Sequence, residues 1–155
     1  MKKYLLLSLC IFLPLMIGAV SGFFTTPNIP NWYTYLQKPS FNPPNWLFGP
    51  VWTILYVLMG ISFFLIFQSV SNWKTKALGI FCIQLILNFL WSFIFFQQKQ
   101  LGWALVELMV LWFCILMMIF IFYKVNKTAA LLQIPYLLWV GFAGILNYFI
   151  FILNH

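Results

Sequence analysis

Few side chains in this sequence can do acid–base or nucleophilic chemistry. Glu107 is the only acid, His155 is the only histidine and stands at the chain end, and there is no aspartate or arginine. No Ser–His–Asp set, carboxylate pair or phosphate-cradling loop can be assembled from this inventory, so it gives hydrolase chemistry no support. Cys10, Cys82 and Cys114 each lie within an apolar run and lack metal-ligand spacing. They read as small core or lipid-facing residues, with neither a metal site nor a disulfide. What the chain does offer is indoles, phenols and carboxamides at helical spacing. Trp52, Tyr56 and Met59 fall at i, i+4, i+7; Gln84, Asn88, Trp91 and Ser92 follow the same period. Trp103 and Glu107 are one turn apart, with Val106 and Val110 on an adjoining stripe, and Trp139, Ala143, Leu146 and Asn147 share a face. Such residues suit a pocket that stacks rings on a flat apolar ligand and fixes it with few hydrogen bonds.

Each of these residues also has a plainer reading. Membrane helices use Asn and Gln to hold one another, and Trp at helix ends belongs to the interfacial belt. Four helices presenting such residues at similar depth favour the pocket, and Ala143 between Trp139 and Asn147 leaves room for a ligand. Glu107 reads first as a structural carboxylate, paired with Lys99 or Lys38 or accepting from an amide. As the only acid it is also the only candidate proton carrier.

The elements that must position these groups are membrane helices. Hydrophobic residues make up 65% of the 155 and charged residues 6%, too little charge to coat a soluble domain. Apolar runs of helix-spanning length recur throughout, so the expected fold class is an all-α integral membrane protein: one domain over 1–155, a five-helix bundle with a long structured loop between helices 1 and 2. The spans are expected at about 4–24, 44–68, 77–96, 101–123 and 129–153. The first follows a basic start and resembles a signal peptide, but its apolar run is longer than a signal core. Within it Pro14 is a tolerated kink, and Gly18 with Gly22 offers a face for close helix approach. Gly49–Pro50 is expected to bend the second span, and Pro135 falls near the start of the fifth.

The net charge of +7 arises from lysines. They sit singly or in pairs between apolar runs, which speaks for membrane orientation rather than nucleic acid. Lys2, Lys3, Lys74, Lys76, Lys124 and Lys127 fall on one side, Lys38 and Lys99 on the other. The positive-inside rule then places the N-terminus in the cytoplasm of a cell-membrane protein, and the long loop and C-terminus outside.

The residues Trp32–Tyr33, Leu36-Gln-Lys-Pro39, Pro43-Pro44-x-Trp46, Pro50-x-Trp52, Leu55–Tyr56 and Met59–Gly60 carry a resemblance that continues along the chain. Further matches are Gln84-Leu-x-Leu-Asn88-x-x-Trp91, Phe95–Phe96, Gly102-Trp-Ala-Leu105, Pro135-Tyr-Leu-x-Trp139 and Phe142-Ala143-x-x-Leu146-Asn147. Together they resemble the TspO/MBR family, the tryptophan-rich sensory or translocator proteins also known as peripheral benzodiazepine receptors. The resemblance implies a five-helix bundle, often a homodimer. It also implies binding of protoporphyrin IX and other haem-pathway tetrapyrroles, and of synthetic isoquinoline carboxamides and benzodiazepines.

Carried over by motif, the ligand-binding residues are Gly22, Tyr33, Phe48, Trp52, Asn88, Trp91, Trp103, Val106, Trp139, Ala143 and Leu146. Bacterial members are described as promoting light- and oxygen-dependent porphyrin breakdown, which would make Trp52 and Trp139 the catalytic positions. The resemblance thus leaves open an enzyme, a carrier without catalysis, or a sensor. A proton-coupled small multidrug exporter using Glu107 is a distant alternative. No cofactor is required on this reading; porphyrin is ligand or substrate. Animal members bind sterol through a Tyr followed by Lys or Arg late in helix 5. Here Tyr148 is followed by neither, which argues against sterol as a partner.

Overall fold

The structure, a computed structural model, describes residues 2–155 and is all-helical, with no strand among the described residues. Its elements are α1 (Lys2–Thr25), α2 (Asn28–Asn31), a 3-10 turn (Tyr33–Tyr35), α3 (Asn45–Gln68), α4 (Lys74–Ser92), a π-helical turn (Phe93–Gln97), α5 (Leu101–Tyr123), α6 (Lys127–Leu131) and α7 (Ile134–Leu153). Five helical segments are long and apolar enough to cross a membrane, the fourth of them α5 and the fifth α6 with α7. The chain is an integral multi-pass membrane protein.

Several boundaries depart from the sequence reading, for local reasons. Helix α4 begins at Lys74 rather than Ala77, because the Lys74 and Ala77 amides donate to Ser71 and Trp73 carbonyls and carry the helix back through the basic turn. The fifth span is two helices. Asn126 caps α6 by accepting from the Ala129 amide at 3.0 Å, as N-cap carboxamides do. The chain restarts as α7 at Ile134, with Pro135 in the first turn, where its missing N–H is harmless. Helix α3 starts at Asn45 rather than Pro44 and carries Gly49–Pro50 within it.

Packing follows the small residues. A Cβ on Gly60 would overlap the Ile11 Cα and lie 2.8 Å from the Cys10 carbonyl oxygen, so glycine there lets α3 touch the backbone of α1. Gly18 answers one turn above, its Cα facing the Tyr56 ring. Around the bundle α3 packs on α1, α1 on α4, α4 on α5 and α5 on α7, while α6 returns to α3 and closes the ring. At that closed, lysine-rich end the core is dense: Met59, Ile66, Phe81, Met118 and Phe122 are fully buried. Ser62 donates to the Ala129 carbonyl at 2.7 Å and ties α3 to α6. Toward the other end α3 and α7 face each other across open space.

Candidate functional site

That space is a cavity of about 620 Å³, walled by α1, α3, α4, the π turn and α7 and roofed by the loop. Its size lies within the range of small-molecule pockets. From the α1 side come Gly18, Ser21, Gly22 and Thr25, and from α3 Phe48, Trp52 and Tyr56. Trp91, Ser92, Phe95 and Phe96 form another wall, Ala143, Leu146, Asn147 and Ile150 the α7 side, and Ile29 and Tyr33 the roof. The π turn explains the phenylalanines. The Gln98 amide donates to the Phe93 carbonyl at 3.0 Å, five residues back, and the widened turn buries the consecutive Phe95 and Phe96. Such bulges recur at functional sites.

The floor is a hydrogen-bonded trio. The Tyr56 hydroxyl donates to Asn88 Oδ1 at 2.7 Å, and Asn88 Nδ2 donates to the Tyr136 hydroxyl at 3.0 Å. Trp52 stacks on Tyr56, with centroids 5.6 Å apart and planes at 28°, and meets the Tyr136 ring edge-on at 6.2 Å. On the far wall Trp91 Nε1 donates to Asn147 Oδ1 at 3.3 Å, and Asn147 Nδ2 donates to the Leu101 carbonyl at 2.9 Å. Asn147 thereby fixes the start of α5 against α4 and α7. Ser21 lines the cavity, but its hydroxyl oxygen is buried beside Tyr56 and presents no open surface to a guest.

The roof is tied down as well. Tyr33 is buried and donates to Asn42 Oδ1 at 2.9 Å. Burial pushes its phenol up to about 12, and the bond to Asn42 offsets this only in part. Lys38 donates to the Thr34 and Leu36 carbonyls and lies over the Tyr33 ring, 4.9 Å from its centroid; partial burial lowers its pKa. Asn154, just past α7, forms a reciprocal pair with the backbone of Gln37: Oδ1 accepts from the Gln37 amide at 2.9 Å and Nδ2 donates to the Gln37 carbonyl at 2.8 Å.

Of the residues chosen from the sequence, Gly22, Tyr33, Phe48, Trp52, Trp91, Ala143 and Leu146 meet at this cavity. Four do not line it. Asn88 lies beneath the wall with its amide committed to two tyrosines, so neither it nor Tyr33 is a ready hydrogen-bond partner for a ligand. Trp139 stands behind Phe48, their centroids 6.1 Å apart, with its indole nitrogen buried and unpartnered among the described residues. Trp103 and Val106 are 70% and 52% exposed. They share the outward stripe of α5 with Val110, Phe113 and Met117, opposite the buried Ala104, Leu108, Leu111 and Ile115.

Glu107 also lies off the cavity. Its two oxygens are buried and bond to nothing among the described residues. Pairing with Lys38 or Lys99 does not form, because those ammoniums sit over Tyr33 and Trp32. Sequence reasoning missed Ser21, Thr25 and Ile29 as cavity residues, whereas Ser92 stood on the face it read for α4. It took Asn147 only as a polar face and Gly18 only as a helix contact.

No cluster of His, Cys, Asp or Glu able to hold a metal occurs among the described residues. The cavity wall contains no His, Cys or Met, and its two tyrosines, Tyr33 and Tyr56, have their hydroxyls committed to Asn42 and Asn88.

Comparison with known proteins gives a consistent relationship. The family model described as "TspO/MBR family" matches residues 10–153. The tryptophan-rich protein TspO of Chlorobaculum tepidum is 42% identical over 157 residues, covering 99% of this chain and 98% of that protein. The translocator protein of Homo sapiens is 42% identical over 127 residues, covering 80% and 75%. The tryptophan-rich sensory protein of Cereibacter sphaeroides is 35% identical over 130 residues, covering 84% and 80%.

Proposed function

The chain belongs to the TspO/MBR family, and from that premise we propose that it is a membrane receptor or sensor whose cavity takes flat, largely apolar ring systems. The ligand class is tetrapyrroles, protoporphyrin IX among them, together with synthetic isoquinoline carboxamides and benzodiazepines. One observation carries the reading: a roofed cavity of about 620 Å³ walled by Trp52, Trp91, Phe48, Phe95 and Phe96, with few polar groups free to bond. Aromatic contact supplies most of the affinity. With no soft or imidazole ligand on the wall, metal-free porphyrin binds about as well as haem. The positive-inside rule places the lysine-rich end in the cytoplasm and the roofed end outside the cell membrane.

Catalysis adds a step to this reading. Trp52 lies on the wall, where its indole can give an electron to a light-excited porphyrin, oxygen serving as the further reactant. Trp139 is screened by Phe48 and contributes less than Trp52. The deciding experiment follows protoporphyrin with purified protein in light and in darkness, reading absorbance and tryptophan fluorescence. Quenching with a light-dependent product, lost in Trp52→Phe and retained in Trp139→Phe, supports a degrading receptor. Quenching without product leaves a carrier or sensor. Unquenched fluorescence at every porphyrin concentration would refute the binding itself.

A further inference from the structure

The end of the bundle opposite the cavity carries a second recognition surface. Lys76 Nζ lies 4.6 Å and Lys124 Nζ 4.4 Å from the centroid of the Trp73 ring. The first follows the start of α4 and the second the end of α5, so antiparallel packing brings together residues about fifty apart in sequence. The two ammoniums therefore lie within about 9 Å of each other. Lys74 Nζ sits 5.0 Å from the Phe67 centroid and Lys127 Nζ 5.4 Å from that of Tyr123, flanking the pair. Among the described residues no acidic side chain pairs with them. The only acidic side chain is Glu107, in the other half of α5 with both oxygens buried, and the C-terminus follows the far end of α7. An ammonium resting on an aromatic face keeps N–H donors for an anion.

We propose that Trp73, Lys76 and Lys124 form a headgroup site for an anionic glycerophospholipid of the leaflet at this end. Trp73 stands at the end of a membrane span and is 37% exposed, the level and posture of an interfacial tryptophan. Helical spacing continues the site into the bilayer and favours a lipid over a free phosphate. Gly79 and Ile83 lie one and two turns along α4 from Lys76. A Cβ on Gly79 would meet nothing within 4 Å, and Ile83 is exposed. On α5, Phe120 and Met117 lie one and two turns from Lys124, both exposed. The phosphate bridges the lysines, and an acyl chain follows the apolar track between the helices.

The test is native mass spectrometry of the full chain from mixed micelles holding equal phosphatidylglycerol and phosphatidylcholine with matched acyl chains. A lysine near an anionic headgroup is worth about a fivefold preference, so the pair should retain phosphatidylglycerol roughly thirtyfold better. Lys76→Gln with Lys124→Gln should bring retention near parity. Lys74→Gln with Lys127→Gln removes the same charge from the same end and should keep most of the preference. Inorganic phosphate in large excess should not displace the lipid. The site is refuted by parity in the parent protein, by equal loss in the two double variants, or by displacement with phosphate.

Discussion

The Asn154 clasp gives the sharpest prediction. Its amide makes three bonds: two join the backbone of Gln37, and the third, from Nδ2 to the Ile150 carbonyl at 2.7 Å, stays on its own helix. Only the first two hold the roof. Both are exposed, so each is worth about 0.5–1 kcal/mol, the lower part of the usual net range. Asn154→Ala should therefore shift the closed-to-open ratio of the roof by about 1–2 kcal/mol, or roughly 5–30-fold. Tyr33–Asn42 and the edge-on Phe41–Phe149 contact at 5.4 Å remain, so the closed form still dominates. Association and dissociation of protoporphyrin should then both accelerate by that factor while affinity stays nearly constant. Stopped-flow tryptophan quenching in darkness measures the rates, and hydrogen exchange at Gln37 and Asn42 reads roof opening without any ligand. Unchanged exchange in the variant would refute the clasp. Faster exchange with unchanged ligand rates would show that the roof does not gate the cavity.

Other perturbations separate structure from site. Gly60→Ala should cost about 1–3 kcal/mol by forcing α1 off α3, lowering the melting temperature in detergent, whereas Gly79→Ala, which faces open space, should be neutral or slightly stabilising. Asn88→Leu strands the Tyr56 and Tyr136 hydroxyls and should cost about 2–4 kcal/mol; adding Tyr56→Phe should then cost little, a coupling that a double-mutant cycle reads directly. Trp103→Ala and Val106→Ala face outward and should leave porphyrin quenching unchanged. The Tyr33 phenol is raised from 10 to about 12, so the folded state holds its proton where the unfolded chain loses it. Its stabilising effect is intact below pH 10 and disappears as pH rises from 10 toward 12. Ultraviolet titration against Tyr33→Phe should show one phenol ionising late.

The five spans were legible because lipid demands long uninterrupted apolar runs, and runs of that length have few other uses. The side of each helix facing the cavity was legible only where polar and small residues marked it, as on α7 with Ala143 and Asn147. On α5 that signal fails. The bundle interior and the lipid are both apolar, so the buried stripe through Leu108 and the exposed one through Val106 have the same character in sequence. Trp103 and Val106 were misplaced for that reason. The π turn has no local mark among four aromatic and aliphatic residues, and tertiary packing alone selects it. The Asn154–Gln37 pair joins residues 117 apart, and nothing near either one announces the other.

The two ends of the bundle differ in a way that bears on mechanism. Below the cavity the Tyr56–Asn88–Tyr136 trio closes the floor, and beneath it Met59, Phe81, Met118 and Phe122 pack with no exposed surface. A ring system in the cavity could not pass through to the lysine-rich end without separating this core, at a cost set by several fully buried side chains, each worth about 1.5–3 kcal/mol. Exchange through the roof has to loosen Tyr33 and the loop residues packed around it, but leaves this core in place. On the proposed reading, binding and release at the roofed end would disturb less of this core than passage across the membrane.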